Sequence, residues 1–116
     1  MIKTAGELIS EAQTHINCVD VMSAKAIYDD SNNAVILDVR ESNSFENAHL
    51  NEAINIPRGL LEMQISKHCE NSETIILTHC AAGPRATFAA LTLHNMGYSN
   101  VHAISATYEE IKSVFG

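Results

Sequence analysis

One cysteine in this chain of 116 residues lies where its thiol could act as a nucleophile. Cys80 follows the apolar run Thr74–Thr78 and precedes the small-residue segment Ala81–Gly83. Pro84 suits the first position of a helix, where its missing N–H is not needed, and Gly83 lets the backbone curl so that successive N–H groups point inward. The sequence therefore predicts a strand, a loop of converging N–H donors around Cys80, and then a helix.

The groups expected around Cys80 favour an anion. The positive end of the helix dipole, the unpaired N–H donors and the guanidinium of Arg85 all favour a thiolate over a thiol, so no separate base is needed. The same groups could hold a persulfide or a thiosulfate group, because both carry negative charge. Without this context, Cys80 would be interpreted as a small buried apolar residue. The residues that we expect to bind the substrate here are Ala81, Ala82, Gly83, Arg85 and Ala86.

A second arginine could serve the same opening. Arg58 directly follows Ile56 and Pro57, at the carboxyl end of another predicted strand. In a chain this acidic, Arg58 and Arg85 near one opening would supply a local positive field for an anionic donor. A solvated surface arginine explains Arg58 equally well, so both interpretations stay open.

The elements that must position Cys80 follow from hydrophobic spacing. Strands are predicted at Ala34–Asp38, Ala53–Ile56 and Thr74–Thr78, with weaker candidates at Ile16–Val19 and Val101–Ile104. Helical spacing is clearest over Ala86–Met96, and weaker helices are predicted at Thr4–Thr14, Met22–Asp30, Leu60–Lys67 and Ser105–Val114. Apolar strands that alternate with helices predict an α/β fold, a parallel sheet of about five strands with helices on both faces. Ligands of such sheets bind beyond the carboxyl ends of the strands, where Cys80 lies.

The composition limits the classes of function. The chain has 46% hydrophobic residues, which suits one core, and we expect residues 1–116 to form a single domain. Fourteen acidic residues against seven basic ones give a formal charge of −7, and no basic cluster is present, so we expect no nucleic-acid partner. No apolar run approaches the roughly 18 residues that cross a bilayer, and no signal-like segment opens the chain. We therefore expect a cytoplasmic protein without membrane contact.

The remaining cysteines and the histidines carry weaker signals. Cys18, Cys69 and Cys80 are odd in number and far apart, which argues against a disulfide framework or a four-ligand zinc site. Neither Cys18 nor Cys69 has a loop like that of Cys80, so we expect both to be inert or merely oxidisable. Adjacent His-Cys pairs rarely aim at one ion, so we expect no metal, and nothing indicates a cofactor. Strand alternation sends the side chain of His79 away from the thiol, which indicates a packed histidine.

Asp38 and Arg40 end a predicted buried strand, a place where function concentrates in α/β folds. We interpret them as an ion pair that fastens the following loop, with Glu46 and His49 as candidate partners. If the pair is interior, removal of one partner should destabilise the fold by about 3–5 kcal/mol.

Three ordered segments resemble the rhodanese family of sulfurtransferases, and several motifs in the expected order are more specific than any one. The match covers most of residues 34–104. The segments are Leu37–Glu41, Phe45, Ala48–Leu50 and Glu52–Pro57 for the first signature region, Cys80–Arg85 for the six-residue active-site loop, and Gly97–Val101 for the turn and strand that follow.

The resemblance implies a persulfide relay. In such a relay, Cys80 takes a sulfane sulfur from a donor such as thiosulfate, releases sulfite, and passes the sulfur to cyanide or to a physiological thiol. The partners that it implies are a small anionic donor, thiosulfate or a polysulfide, and a thiol or cyanide acceptor. A protein that donates or accepts the sulfur is a further candidate.

Two alternatives come from different classes. Cell-cycle-type phosphatases and related arsenate reductases share this fold and also begin their loop with His-Cys, as His79 and Cys80 do. They need five residues between the cysteine and the arginine, whereas four separate Cys80 from Arg85, and Ala86 stands where their arginine would fall. The other alternative is a non-catalytic rhodanese-like module used for binding or regulation. Such modules have commonly lost the loop cysteine, which this chain retains.

Overall fold

The computed structural model describes residues 1–116, and it contains one sheet of five parallel strands. The strands are β1 (Asn17–Val19), β2 (Val35–Asp38), β3 (Ala53–Asn55), β4 (Ile76–His79) and β5 (Val101–Ile104). Their order across the sheet is β1-β5-β4-β2-β3, and all four pairings are parallel. The expected five-stranded parallel α/β fold is thus confirmed. β4 lies in the middle, so its carboxyl end is flanked by those of β2 and β5.

Six helices cover the sheet. They are α1 (Ala5–Gln13), α2 (Val21–Asp29), α3 (Ser42–Asn47), α4 (Leu61–Gln64), α5 (Pro84–Met96) and α6 (Tyr108–Phe115), and 3-10 turns at Arg58–Leu60 and Ile65–Lys67 flank α4. One apolar layer joins α4 and α5 to the sheet, with α1 packed outside α5, and the other joins α2 and α6 to the opposite face. No helix is both long and apolar enough to cross a membrane.

The inner strands are buried on both sides, which explains their unbroken apolar sequences. Ile36, Leu37, Ile76 and Leu77 alternate between the two layers, and each is at most 2% exposed. Burial of one such side chain contributes about 1.5–3 kcal/mol. The sheet therefore forms a rigid platform for whatever follows the ends of β2 and β4.

Local sequence sets the ends of the helices near that edge. The hydroxyl of Thr107 accepts the N–H of Glu110 at 3.2 Å, and the Glu110 carboxylate accepts the N–H of Thr107 at 3.0 Å, so a capping box begins α6. α5 begins with Pro84 at its first position and ends at Gly97, whose φ of 109° is left-handed.

Several helices differ from the sequence-based prediction, and α6 begins at Tyr108, three residues after the predicted Ser105. α3 was not predicted, because Ser42–Asn47 contains one aromatic residue and no apolar period. The helix predicted over Leu60–Lys67 is divided into α4 and two 3-10 turns, since only Leu61 and Ile65 of this segment are fully buried. The helical spacing is clear only from Ala86, whereas α5 itself begins at Pro84, the residue expected to suit its first position.

Candidate active site

Cys80 is the first residue after β4, at the centre of the carboxyl edge of the sheet. Its side chain is 1% exposed and packs in the apolar layer beneath α5. The next residues, Ala81 and Ala82, are exposed and form the outer part of the loop that leads into α5. The structure thus places Cys80 where the strand, loop and helix pattern predicts it.

Two backbone donors converge on the sulfur of Cys80. The N–H of Gly83 donates to Sγ at 3.1 Å, and the N–H of Ala86 donates to it at 3.4 Å. Both donors belong to the first turn of α5, where N–H groups have no partner within the helix. Hydrogen bonds to sulfur and the positive end of the helix favour the anionic form of a sulfur group at this position.

The loop depends on a backbone conformation that suits glycine. Gly83 has a φ of 116°, which L side chains rarely adopt. The Gly83 carbonyl accepts the backbone N–H of Thr87 at 3.0 Å and the hydroxyl of Thr87 at 3.1 Å. From β4, the Thr78 hydroxyl donates to the Ala86 carbonyl at 2.9 Å. These bonds fix the first turn of α5 against the strand that ends at Cys80.

The two candidate arginines differ in their contacts. Arg58 donates to the Thr92 hydroxyl at 2.7 Å and to the Glu62 carboxylate at 3.1 Å. Thr92 lies about two turns along α5 from the loop, so the guanidinium of Arg58 is held against the flank of this helix. Arg85 is partly exposed, and no carboxylate pairs with it. The structure brings Arg85 to the first turn beside Cys80 and does not bring Arg58 into the loop.

The opposite face of the sheet carries a buried ion pair. Asp38 ends β2, and its Oδ2 accepts from the Nη2 of Arg40 at 2.8 Å, with side-chain exposures of 0% and 8%. Arg40 also donates to the Ala48 carbonyl at 2.7 Å, which ties down the segment after α3 as expected. The hydrogen bond to Asp38 raises the pKa of Arg40 further above its usual value. The expected extension to Glu46 and His49 is wrong: Glu46 is exposed, and the ring of His49 contacts the Phe45 carbonyl.

His79 lies on this same face, directed away from the thiol as strand alternation predicts. Its side chain is 0% exposed, neither ring nitrogen has a hydrogen-bond partner, and Nε2 is 3.7 Å from Oδ2 of Asp38. Burial lowers the pKa of His79; the charge of Arg40 acts in the same direction and that of Asp38 opposes it.

Tyr108 is a site neighbour that the sequence analysis missed. Its backbone N–H donates to the Ala81 carbonyl at 3.0 Å, and the guanidinium of Arg40 lies 4.1 Å from the centre of its ring. The sequence predicted a helix over this segment, and the rule that strand ends share one edge could have placed the residues after β5 beside Cys80. No residue pattern marks Tyr108 itself.

Cys69 and Cys18 lack the donors that surround Cys80. Cys69 follows the second 3-10 turn and is buried, and burial raises the pKa of its thiol. Cys18 is exposed on the edge strand β1.

The largest surface groove lies away from Cys80. It measures about 480 Å³, runs between α1 and α5, and is lined by Leu8, Ala12, Phe88 and Leu91 with four polar residues. Cys80 lines none of the surface grooves, and it is 1% exposed.

Comparison with known sequences identifies the family. Residues 20–113 match the family model of the Rhodanese-like domain. The chain belongs to the rhodanese-like domain family. This rhodanese-like chain is 32% identical over 100 residues to YrkF of Bacillus subtilis, which is described as a candidate sulfur carrier protein. The match covers 86% of this chain and 53% of YrkF, so the chain spans about half of the length of that relative.

Solved structures show the same fold. A Rhodopseudomonas palustris protein of unknown function, described as a candidate tyrosine phosphatase, superposes with a TM-score of 0.85 at 22% identity, over 100% of this chain and 94% of that one. The thiosulfate sulfurtransferase of Pseudomonas aeruginosa superposes with a TM-score of 0.74 at 25% identity, over 88% of this chain and 19% of that one. The family membership therefore places this rhodanese-like domain in the sulfurtransferase superfamily.

Proposed function

We propose that this rhodanese-like domain transfers sulfane sulfur from a small anionic donor such as thiosulfate to a thiol or cyanide, through a persulfide on Cys80. The observation that carries this proposal is the convergence of the Gly83 and Ala86 N–H groups on the Cys80 sulfur. These donors would hold a thiolate before the reaction and a persulfide after it, since both carry one negative charge.

The first half-reaction forms one sulfur–sulfur bond and breaks another. The Cys80 thiolate attacks the sulfane sulfur of thiosulfate, a bond forms between Sγ and that sulfur, and sulfite leaves with the electron pair of the broken bond. In the second half-reaction, cyanide or a thiolate attacks the outer sulfur of the persulfide. Cyanide gives thiocyanate, a thiolate gives a new persulfide, and either acceptor regenerates the Cys80 thiolate.

The loop residues have separate roles in this proposal. Arg85 supplies the cation for the donor, because no carboxylate neutralises it. Ala81 and Ala82 expose small side chains next to Cys80, which suits a donor of a few atoms. Arg58 would contribute only after release from Glu62 and Thr92, so we assign it a lesser role.

The sulfur donor or acceptor in the cell could also be a protein, since the relative YrkF is described as a sulfur carrier. We propose that residues 1–116 act as one catalytic unit in a reducing compartment such as the cytoplasm. The three free cysteines support this location, because free thiols persist where thiols are kept reduced.

Phosphate or arsenate chemistry is the competing function, and the fold shared with the candidate tyrosine phosphatase favours it. The loop weakens it, since Ala86 stands where a loop of that class would carry its arginine. Turnover of an aryl phosphate, or reduction of arsenate by added thiols, would replace the sulfur-transfer proposal if it required Cys80 and proceeded without persulfide formation.

The decisive experiment is intact mass spectrometry of the reduced protein before and after thiosulfate or polysulfide, and again after cyanide. We expect a gain of about 32 Da, the mass of one sulfur atom on a nucleophilic cysteine, that cyanide removes. The Cys80→Ser variant should show no gain, and the matched Cys69→Ser variant should show the full gain. An unchanged mass with both donors would contradict the proposal and favour a binding module.

A further inference from the structure

His79 is a buried polar side chain that the sulfur relay does not use. It is fully buried next to the nucleophile in sequence, yet both ring nitrogens lack a hydrogen-bond partner. An unpaired buried polar atom costs about 1–3 kcal/mol, and an apolar side chain of similar shape would avoid that cost. A functional reason for a histidine at this position should therefore lie in what surrounds it.

A chain of short contacts joins the His79 ring to the loop of Cys80. Oδ2 of Asp38, 3.7 Å from Nε2 of His79, accepts from Arg40 at 2.8 Å. The same guanidinium lies 4.1 Å from the centre of the Tyr108 ring. The Tyr108 N–H in turn holds the Ala81 carbonyl at 3.0 Å. A change at Asp38 can thus reach the loop through Arg40 and Tyr108.

Few charged groups face the His79 ring. Asp38 and Arg40 come from the end of β2, and Tyr108 comes from α6, with its ring centre 6.2 Å from that of His79. On β5, His102 bonds to the Asn100 side chain at 2.9 Å. Helix α2 presents the apolar Ala24 to this layer. Burial lowers the pKa of His79, so the ring is neutral at pH 7.

We propose that His79 is a positioning residue for the Cys80 loop and that proton uptake by its ring switches sulfur transfer off. This inference rests on the proposed sulfur transfer. When His79 is neutral, Arg40 holds both carboxylate oxygens of Asp38 at 3.1 and 2.8 Å. A protonated ring is a second buried cation beside Oδ2 and competes with Arg40 for it. Arg40 then loosens its contact with Tyr108, and the loop loses its anchor at Ala81.

The first test is the pH dependence of kcat/KM for thiosulfate, with cyanide as the acceptor. In wild type, protonation of His79 should make the acid decrease of kcat/KM steeper by up to about tenfold per pH unit than it is without this group. The variants H79F and H79Q should lack this added steepness. H102Q, a matched control on the same face of the sheet, should keep the wild-type slope.

The second test is made on a protein that cannot transfer sulfur. In the Cys80→Ser protein, nuclear magnetic resonance can follow the His79 ring and the Tyr108 backbone amide from pH 8 downwards. We expect the Tyr108 amide to shift with the same midpoint as the His79 ring, and we expect this shift to be absent when H79F is added. This measurement does not depend on catalysis or on the stability of any single His79 substitution.

The outcomes separate this inference from the proposed function. Equal acid slopes in wild type, H79F and H79Q would overturn the inference even if the rates of both variants fell, because His79 would then only fill space. A His79 ring that titrates while the Tyr108 amide stays still would overturn it too. Absence of a persulfide on the wild-type protein at every pH would instead overturn the sulfur-transfer proposal.

Discussion

The two buried cysteines of this domain differ in the groups that surround their sulfur atoms. Cys80 and Cys69 belong to the same apolar layer and are 1% and 5% exposed. The sulfur of Cys80 accepts two backbone N–H groups from the first turn of α5. Cys69 follows a 3-10 turn, its own N–H is bonded to the Ile65 carbonyl at 2.9 Å, and burial raises the pKa of its thiol. Burial is common to both, so the difference comes from the backbone donors.

The position of those donors depends on a strained turn and on contacts that hold the loop. The Cys80 loop requires Gly83 at a positive φ, and Tyr108, which binds the loop at Ala81, contacts Arg40 of the Asp38–Arg40 pair. Around Cys69 the backbone has no residue with a positive φ, and the Tyr98 hydroxyl binds the Cys69 carbonyl. The comparison can be tested at each of these features.

The largest expected effect separates the two cysteines directly. Replacement of Cys80 by Ser should lower the rate of thiosulfate-dependent thiocyanate formation by at least about 1,000-fold, because the covalent intermediate is lost. Replacement of Cys69 by Ser should change the rate less than about threefold. Steady-state assays of thiocyanate formation by both variants measure these rates. Comparable losses of rate in the two variants would contradict the different roles proposed for Cys80 and Cys69.

The buried Asp38–Arg40 pair should dominate stability at the carboxyl edge of the sheet. Arg40→Met leaves the buried Asp38 carboxylate without its partner and should lower the free energy of unfolding by about 3–5 kcal/mol. Arg58→Met is the matched control, since its exposed pair with Glu62 should contribute at most about 1 kcal/mol. Urea unfolding measures the free energy of unfolding of both variants. Similar decreases would show that the buried Asp38–Arg40 pair contributes no more to stability than the exposed Arg58–Glu62 pair.

The strained turn should come next in size. Gly83→Ala places a side chain on a residue with a φ of 116°. It should lower the free energy of unfolding by about 1–3 kcal/mol, and it should also lower the rate of sulfur transfer. Gly59→Ala is the control, because Gly59 has open space around it and an ordinary φ, so its effect should stay within about 0.5 kcal/mol. If Gly83→Ala were as well tolerated as Gly59→Ala in unfolding and in activity, the loop would not depend on this conformation.

Much of the Cys80 side of this comparison could be predicted from the sequence. The apolar run before Cys80, the small residues after it and Pro84 are local signals, and each acts within a few residues of the chain. They located the strand, the loop and the start of α5, and the order of strands and helices gave the parallel sheet. The same reasoning showed the direction of the His79 side chain, because alternation along a strand is also local.

The remaining features could not be predicted, because they depend on contacts between distant segments. Tyr108 reaches the loop only since the end of β5 lies beside that of β4. Arg58 follows a strand at the correct edge, yet Thr92 on α5 holds its guanidinium along the helix flank. Helix α3 has almost no apolar side chain to mark it, so its position depends on the tie between Arg40 and Ala48.

The two arginines give a smaller effect that tests the assignment of charge near Cys80. Arg85→Ala should raise the KM for thiosulfate about tenfold, which is about 1.4 kcal/mol, because the donor is a dianion. Its effect on the second half-reaction should be below about twofold, because cyanide carries a single charge. Arg58→Ala should change both by less than about twofold, since Glu62 already neutralises Arg58. Equal increases of KM in both variants would bring Arg58 back into the donor site.

The smallest expected effect concerns the thiol of Cys69. Because burial raises the pKa of the Cys69 thiol above its ordinary value, the unfolded chain releases this proton at a lower pH than the folded protein does. The stability linked to Cys69 is therefore complete below pH 9 and decreases as the pH rises towards the folded-state pKa. Cys69→Ala should flatten the fall in unfolding free energy between pH 8.5 and 10, as measured by urea unfolding. A slope as steep as that of wild type would assign the decrease of unfolding free energy at alkaline pH to Tyr98, whose pKa burial also raises. Burial of the Cys69 thiol would then make no measurable contribution to this decrease.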